Sequence, residues 1–200
     1  KRPIDTLYVG KGALRGSLAA LAAKARDAGA VIKETDSRKL DSLSGGAAHQ
    51  GVVALAAVKE YASLEDLFRL AEERGEAPFF LIADGLEDPH NLGAILRTAE
   101  CAGAHGVILP SRRSVGLSWA VGKTSAGAVE YVPVCRVANL SSVMEELKRR
   151  GVWIYAADMD GEAWCSVDLT GPIALVIGSE GFGVSRLVKE KCDFILSLPM

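Results

Sequence analysis

Short apolar runs alternate with segments of helical periodicity from residue 79 to residue 198. The run at 79–83 precedes a helical pattern at 89–102, and the alternation continues to a last apolar run at 194–198. This alternation is typical of strand–helix–strand units. It predicts an α/β fold whose parallel sheet carries helices on both faces. The other predicted elements are strands at 106–109, 129–134, 152–157 and 173–177, and helices near 117–126, 140–150 and 184–191.

A polar turn follows the first of these apolar runs. Residues 84–100 read DGLEDPHNLGAILRTAE, in which Asp88 and Pro89 are typical of a helix N-cap and a first helical residue. The helix therefore begins just after the carboxyl end of a strand. Open α/β sheets bind ligands at that edge, so the sequence predicts a binding site there.

Arg97 is the charged residue of this helix that most suggests a function. Gly93 lies one turn before it, and helical side chains lean toward the preceding turn. We interpret the missing side chain of Gly93 as space through which the guanidinium extends toward Asn91. The alternative is a surface ion pair of Arg97 with Glu87 or Glu100.

A glycine-rich loop, GSEGFG at 178–183, joins the predicted strand at 173–177 to the last predicted helix. Its glycine spacing matches neither the dinucleotide fingerprint nor a phosphate-binding loop. Glu180 would also repel a phosphate. Since glycines permit close approach of the backbone, the loop is suited to an uncharged or cationic ligand, with the Glu180 carboxylate directed into the site.

Both stretches resemble motifs of one enzyme family. DPHNLGAILRTAE and LVIGSEGFGVS are similar to motifs 1 and 2 of the SpoU (TrmH-type) branch of the SPOUT methyltransferases, which transfer a methyl group from S-adenosylmethionine to a ribose 2'-hydroxyl of RNA. HQGVVA at 49–54 and Leu-Pro-Met at 198–200 extend the similarity over nearly the whole chain. The resemblance is strongest to bacterial enzymes that methylate a guanosine ribose in 23S ribosomal RNA.

The resemblance implies roles for individual residues. It assigns Arg97 to activating the ribose hydroxyl, Asn91 to organising the site and Glu180 to the active-site network. An arginine side chain stays protonated in proteins, so we expect Arg97 to hold a phosphate or to stabilise a developing alkoxide, with proton abstraction as the alternative. The implied donor-binding residues are Ala157, Ile177, Gly178, Leu198 and Met200.

The N-terminal residues 1–58 are predicted to form a small α/β domain. Its predicted strands are 4–9, 31–34 and 52–58, and its predicted helices are 13–28 and 38–43. In the family this segment resembles a ribosomal-protein-like RNA-binding domain, whose usual first strand and helix would precede Lys1. We expect residues 59–78 to be a surface linker, with a helix start framed by Ser63 and Asp66, and 79–200 to be the methyltransferase domain.

Charge is distributed unevenly between these parts. The net charge of −2 counts mildly against an RNA enzyme as a whole. However, residues 1–60 carry ten Lys or Arg and six Asp or Glu, whereas residues 61–200 carry thirteen Lys or Arg and nineteen Asp or Glu. The N-terminal segment is therefore the positive part, which is suited to contact RNA phosphates.

Four residues are candidates for contact with RNA. Arg112 and Arg113 follow the strand that ends near Pro110, on the same sheet edge as the two motifs, and Lys123 lies a little further on. His49 lies in a glycine-rich polar turn. The alternative for the arginines and the lysine is simple solvation, and for His49 ordinary loop chemistry.

The cysteines and histidines show no metal-ligand spacing, and no CxxC pair is present. We expect reduced thiols in a cytoplasmic enzyme that uses no metal. No apolar run approaches the ~18 residues of a membrane span. The family forms dimers, so a homodimer is implied.

The family continues beyond Leu-Pro-Met into a third motif that completes the donor pocket and a C-terminal trefoil knot. We therefore expect the knot to be incomplete, and activity weak or absent, in a chain that ends at Met200. Other functions stay open: a transfer-RNA ribose methyltransferase, an enzyme that confers resistance by methylating ribosomal RNA, a non-catalytic RNA-binding assembly factor, or a nucleotide-binding α/β protein.

Overall fold

The computed structural model describes residues 4–56 and 59–198, and the chain divides into two compact units, 1–59 and 60–200. The elements of the first unit are β1 (Ile4–Gly10), α1 (Gly16–Asp27), β2 (Val31–Thr35), α2 (Ser37–Leu43) and β3 (Val52–Ala56). Residues 57 and 58 of the predicted third strand lie outside the described residues. β1 pairs in parallel with β2 and antiparallel with β3, in the order β2-β1-β3. Leu7 and Val9 of β1 pack against alanines of α1.

The second unit is built on a six-stranded sheet. The elements are α3 (Leu64–Arg74), β4 (Phe79–Ala83), α4 (Pro89–Cys101), β5 (Gly106–Pro110), α5 (Trp119–Thr124), β6 (Val134–Val137), α6 (Leu140–Arg149), β7 (Trp153–Ala163), β8 (Ile173–Ile177), α7 (Arg186–Lys189) and β9 (Phe194–Ser197). Every strand pairing in the sheet is parallel, and the strand order is β6-β5-β4-β8-β7-β9.

Helices cover both faces of this sheet, which confirms the predicted α/β fold. Successive side chains of a strand point to opposite faces. Phe80 and Ile82 of β4 accordingly lie in one buried cluster, with residues of α3, α6 and α7. Leu81 and Ala83 lie in the other cluster, with residues of α4 and α5. Burial on both sides explains why the sequence of β4 is uniformly apolar. In the described part of the chain, every helix is too short or too polar to cross a bilayer.

The predicted strand at 129–134 is wrong. Residues Ala128–Glu130 form a 3-10 turn, and β6 begins only at Val134. Val129 and Val132 are buried and three residues apart, a spacing that a tight helical turn places on one side. Pro133 has no N–H, and its carbonyl accepts a hydrogen bond from Val107 N at 2.9 Å, so pairing with β5 starts at this point.

The expectation of a surface linker at 59–78 is also wrong for its central part. The predicted helix start is confirmed, because Ser63 and Asp66 form a reciprocal capping box at the beginning of α3. However, Leu67 and Ala71 of this helix are buried. The ideal Cβ of Gly106 would lie 2.4 Å from Leu67 Cγ, so the helix packs directly on β5.

The space beside Gly93 is filled by α5 and does not accommodate Arg97, so our interpretation of this glycine is wrong. A Cβ at Gly93 would lie 2.0 Å from Thr124 Oγ1 and 2.9 Å from Ser125 N. The Thr124 hydroxyl donates to Pro89 O at 3.0 Å, which fastens α5 to the first turn of α4. Gly93 therefore allows two helices to approach closely.

We expect Gly93→Ala to lower the free energy of unfolding by about 1–3 kcal/mol, because overpacking outweighs the gain in helix propensity. Gly122→Ala in α5 is the matched control. A Cβ at Gly122 meets nothing within 4 Å, so this substitution should stabilise by about 0.5–1 kcal/mol. Urea unfolding measures both. Stabilisation by Gly93→Ala would show that the two helices separate at no cost.

Candidate active site

The two motif-bearing turns leave the same edge of the sheet. β4 and β8 are neighbours, and Ala83 at the end of β4 is in register with Ile177 at the end of β8. Asp84 N donates to Ile177 O at 2.9 Å, which extends the pairing by one residue. The turn at 84–88 and the loop at 178–183 are therefore adjacent.

The loop at 178–183 is closed by its own backbone. Ser179 N donates to Gly183 O at 3.0 Å, and Gly183 N donates to Ser179 O at 2.8 Å. A Cβ at Gly178 would lie 2.0 Å from the Gly183 carbonyl carbon and 2.2 Å from Val184 N. These are backbone atoms that cannot rotate away, so only glycine fits at 178 in this conformation.

Asp84 joins the two turns, although our sequence analysis did not single it out. Its Oδ2 accepts a hydrogen bond from Ser185 N at 2.8 Å, directly after the glycine-rich loop. Carboxylates that accept backbone N–H bonds fix loop ends effectively. The only signal in the sequence was a carboxylate immediately after a strand.

A cavity of about 270 Å³ lies between the two turns. Asn91, in the first turn of α4, and Glu180 both line it, so the structure brings together two of the three predicted catalytic residues. Asp88 accepts from His90 N at 2.8 Å and Pro89 occupies the first turn, which fixes the start of the helix below Asn91. Phe182, 96% exposed, completes the wall on the loop side.

Arg97 does not line this cavity. It lies two turns further along α4, and its side chain is exposed. Within residues 4–56 and 59–198 it forms no ion pair, so the alternative pairs with Glu87 and Glu100 are absent there. The catalytic assignment of Arg97 stays a prediction.

A second cavity, of about 210 Å³, is lined by apolar and aromatic side chains. Two predicted donor-binding residues, Ala157 and Leu198, line it. Ile177 and Gly178 do not line this cavity. They lie at the end of β8, which is next to β7 in the sheet. Met200 lies outside the described residues. The donor-binding assignments stay predictions.

A carboxylate beside the second cavity is held by α7. Asp158 follows Ala157 in β7 and forms an ion pair with Lys189. Hydrogen bonding from Lys189 is the main reason why the pKa of the Asp158 carboxyl is lowered. Asp158 therefore carries a negative charge at neutral pH in the middle of β7, just beyond the end of β8.

Three of the predicted RNA contacts lie on one segment of the second unit. Arg112 and Arg113 are exposed in the loop after β5, and Lys123 is exposed on α5. Arg113 has φ 54°, which L side chains rarely adopt. The Arg136 guanidinium donates to Ser111 O at 3.0 Å and so fixes the base of this loop.

His49 lies in the first unit, and both of its ring nitrogens are engaged there. Nδ1 accepts from Gly51 N at 3.0 Å, and Nε2 lies 3.2 Å from Asp41 Oδ1. These contacts are those expected from ordinary loop chemistry. A contact of His49 with RNA stays a prediction.

Among the residues that the structure describes, no group of three or more His, Cys, Asp or Glu side chains is arranged to hold a metal ion.

Family models match both parts of the chain. Residues 78–200 match the SpoU rRNA Methylase family, and residues 1–62 match the substrate-binding domain of RNA 2'-O ribose methyltransferases. A TrmH family tRNA/rRNA methyltransferase of Bacillus subtilis is 49% identical over 100% of this chain and 80% of its own length. A Staphylococcus aureus protein of the same name is 42% identical over 99% of this chain and 80% of its own length.

Solved structures share the fold. An rRNA methyltransferase from Sinorhizobium meliloti has a TM-score of 0.80 and 23% identity, covering 100% of this chain and 73% of that one. The SpoU methyltransferase AviRb from Streptomyces viridochromogenes, in complex with AdoMet, has a TM-score of 0.79 and 22% identity, covering 100% of this chain and 75% of that one. With a family model that matches well over half of its residues, and relatives similar along its whole length, the chain belongs to the SpoU family of RNA methyltransferases.

Proposed function

We propose that the protein transfers a methyl group from S-adenosylmethionine to a ribose 2'-hydroxyl of ribosomal RNA, with a guanosine of 23S RNA as the target. The observation that carries this proposal is the cavity that Asn91 and Glu180 line together at the carboxyl edge of β4 and β8. Ligands of open α/β sheets bind at such an edge. RNA as the substrate is supported by the family models that match residues 1–62 and 78–200.

The residues near the second cavity fit the methyl donor. Ala157, Leu175 and Leu196 offer an apolar surface to an adenine ring. Glu180, which lines the first cavity, has the charge that complements a sulfonium and would not favour a phosphate-bearing cofactor. AdoMet is also the cofactor in the AviRb complex. When bound, this group supplies an electrophilic methyl carbon.

The protein's own residues align the acceptor. Methyl transfer requires the ribose oxygen to be held in line with the methyl carbon, and such alignment supplies much of the rate enhancement. Asn91 can donate to and accept from a ribose with its carboxamide. Arg97 holds a neighbouring phosphate or stabilises the alkoxide that develops as the hydroxyl loses its proton to solvent water.

We also propose that the enzyme acts in the cytoplasm as a homodimer, as the resemblance to its family implies. Light scattering of the purified protein tests the dimer.

The direct test is methyl transfer to ribosomal RNA isolated from cells that lack the gene. We expect radiolabelled methyl groups from S-adenosylmethionine to appear in 23S RNA at one ribose 2'-oxygen, and S-adenosylmethionine to raise the melting temperature of the protein. Labelling of transfer RNA instead would identify the alternative substrate. Stabilisation by ATP or NAD alone, or RNA binding without binding of the donor, would contradict the proposal.

A further inference from the structure

The indole of Trp119 is exposed beside the proposed site. Trp119 is the first residue of α5, and 66% of its surface is accessible. Lys123 Nζ, one turn later, lies 5.2 Å from the ring centroid, where a cation interacts favourably with the π face. An exposed indole offers a flat surface on which a nucleic-acid base can stack.

The surroundings of Trp119 are positively charged. Residues 111–127 contain Arg112, Arg113 and Lys123 but no Asp or Glu, although residues 61–200 as a whole carry more acidic than basic side chains. Both arginines are exposed, and among the described residues neither forms an ion pair. We call residues 111–127 the basic segment. Its charge favours a polyanionic partner.

The basic segment is fastened to the rim of the cavity that Asn91 and Glu180 line. Val115 N donates to Leu86 O at 2.7 Å, and Leu86 is one of the lining residues. The bond from the Thr124 hydroxyl to Pro89 O holds the other end of the segment against the start of α4. The basic segment, which includes Trp119, is therefore attached to the turn that forms one side of the cavity.

We propose that Trp119 is a stacking platform for an unpaired base of the RNA substrate. The proposal rests on the proposed function, because it assigns a binding role next to the same cavity. Lys123 lies over one face of the indole, and the base stacks on the accessible surface that remains. Arg112 and Arg113 contact the phosphates on either side. Proteins commonly read unpaired RNA in this way, by stacking its bases on aromatic side chains.

A protein partner would also bury an exposed tryptophan. The basic segment carries positive charges and no Asp or Glu, which matches the uniformly negative phosphate backbone and so favours RNA. If Trp119 binds a second copy of this protein, its replacement should change the oligomeric state and leave RNA affinity unchanged. If it binds RNA, its replacement should weaken RNA affinity and leave the oligomeric state unchanged.

The test compares RNA binding by Trp119→Ala with binding by the parent protein. We expect affinity for a short unstructured oligoribonucleotide to fall about 10-fold or more, because one stacked base is lost. Affinity for a blunt RNA duplex should change little, since its bases are not available for stacking. Trp119→Phe should restore most of the affinity. In the parent, the oligoribonucleotide should quench a component of the tryptophan fluorescence that is missing in Trp119→Phe.

Tyr131→Ala is the matched control. Tyr131 is also exposed, but it precedes β6 and so lies toward the amino edge of the sheet, away from the cavity. Its removal should leave RNA binding unchanged. If Trp119→Ala and the parent bind the oligoribonucleotide with equal affinity, or if Trp119→Ala shifts to another oligomeric state, the proposed stacking role of Trp119 is wrong.

The two proposals fail separately. If the parent protein methylates RNA while Trp119→Ala binds and methylates equally well, the platform is wrong and the proposed function stands. If the parent neither binds S-adenosylmethionine nor transfers a methyl group, but Trp119→Ala still weakens binding of the oligoribonucleotide, the proposed reaction is wrong and the stacking role of Trp119 stands.

Discussion

Gly178→Ala should lower the rate of methyl transfer by about 100-fold or more, while most of the protein stays folded. The new Cβ would meet the Gly183 carbonyl carbon at 2.0 Å and its oxygen at 2.2 Å, both in the backbone. The loop at 178–183 can relieve that overlap only by breaking the two hydrogen bonds between Ser179 and Gly183. Glu180 then leaves its position, and a displacement of about 1 Å in a catalytic site can cost 100-fold.

Gly181→Ala in the same loop is the control for this prediction. Gly181 lines the same cavity, but a Cβ there meets nothing within 4 Å. It should keep most of the activity, apart from any direct contact with substrate. The measurement is the initial rate of transfer at saturating donor, together with the melting temperature of each variant. A fully active Gly178→Ala would mean that this loop conformation is not needed for the reaction.

Arg97→Ala should lower methyl transfer by about 100- to 1000-fold, the size of effect seen when one donor to a developing oxyanion is removed. Arg97 is exposed on α4 and forms no ion pair with another described residue, so its removal should cost little stability. The change in rate then reports on the reaction itself.

The kinetic constants distinguish the roles open to Arg97. Loss of an alkoxide-stabilising contact lowers kcat, whereas loss of a phosphate contact raises KM for RNA and leaves kcat nearly unchanged. Arg97→Lys keeps a point charge but not the planar fork, so it should rescue phosphate binding better than catalysis. Arg149→Ala, which removes an exposed helical arginine paired with Glu146, is the control and should be neutral. Normal methylation by Arg97→Ala would remove its catalytic assignment.

The elements next to the site were the most predictable part of the fold. β4, α4 and β8 match their predicted bounds to within one residue, because each is a strongly apolar or strongly periodic run bounded by glycine, proline or polar residues. The segment at 129–134 failed because a proline and a spacing of three between valines outweighed its β-branched composition. The buried helix α3 was missed as core because its apolar face is narrow and its ends are highly charged.

The site residues that could be predicted are those that lie in a recognisable local pattern, whereas contacts between distant residues could not be predicted. Asn91 and Glu180 were found because each lies in a recognisable strand–turn–helix stretch, and adjacent strands bring the two stretches together. The bond from Ser185 N to Asp84 joins residues 101 apart. No local pattern encodes such a contact, nor the packing of Thr124 on Gly93. No local pattern indicates that the ring of Trp119 is exposed, since tryptophans are highly buried on average.

The pairing of β4 with β8 has a consequence for how the enzyme is made. The bond between Asp84 and Ser185 spans 101 residues, so the first half of the reaction centre leaves the ribosome long before its counterpart is synthesised. Chains are synthesised at roughly 5–20 residues per second, which leaves several seconds in which β4 lacks its partner β8. Nascent chains halted before β8 should therefore be inert toward RNA methylation however well their earlier elements are folded, and catalytic competence should arise in a single late step.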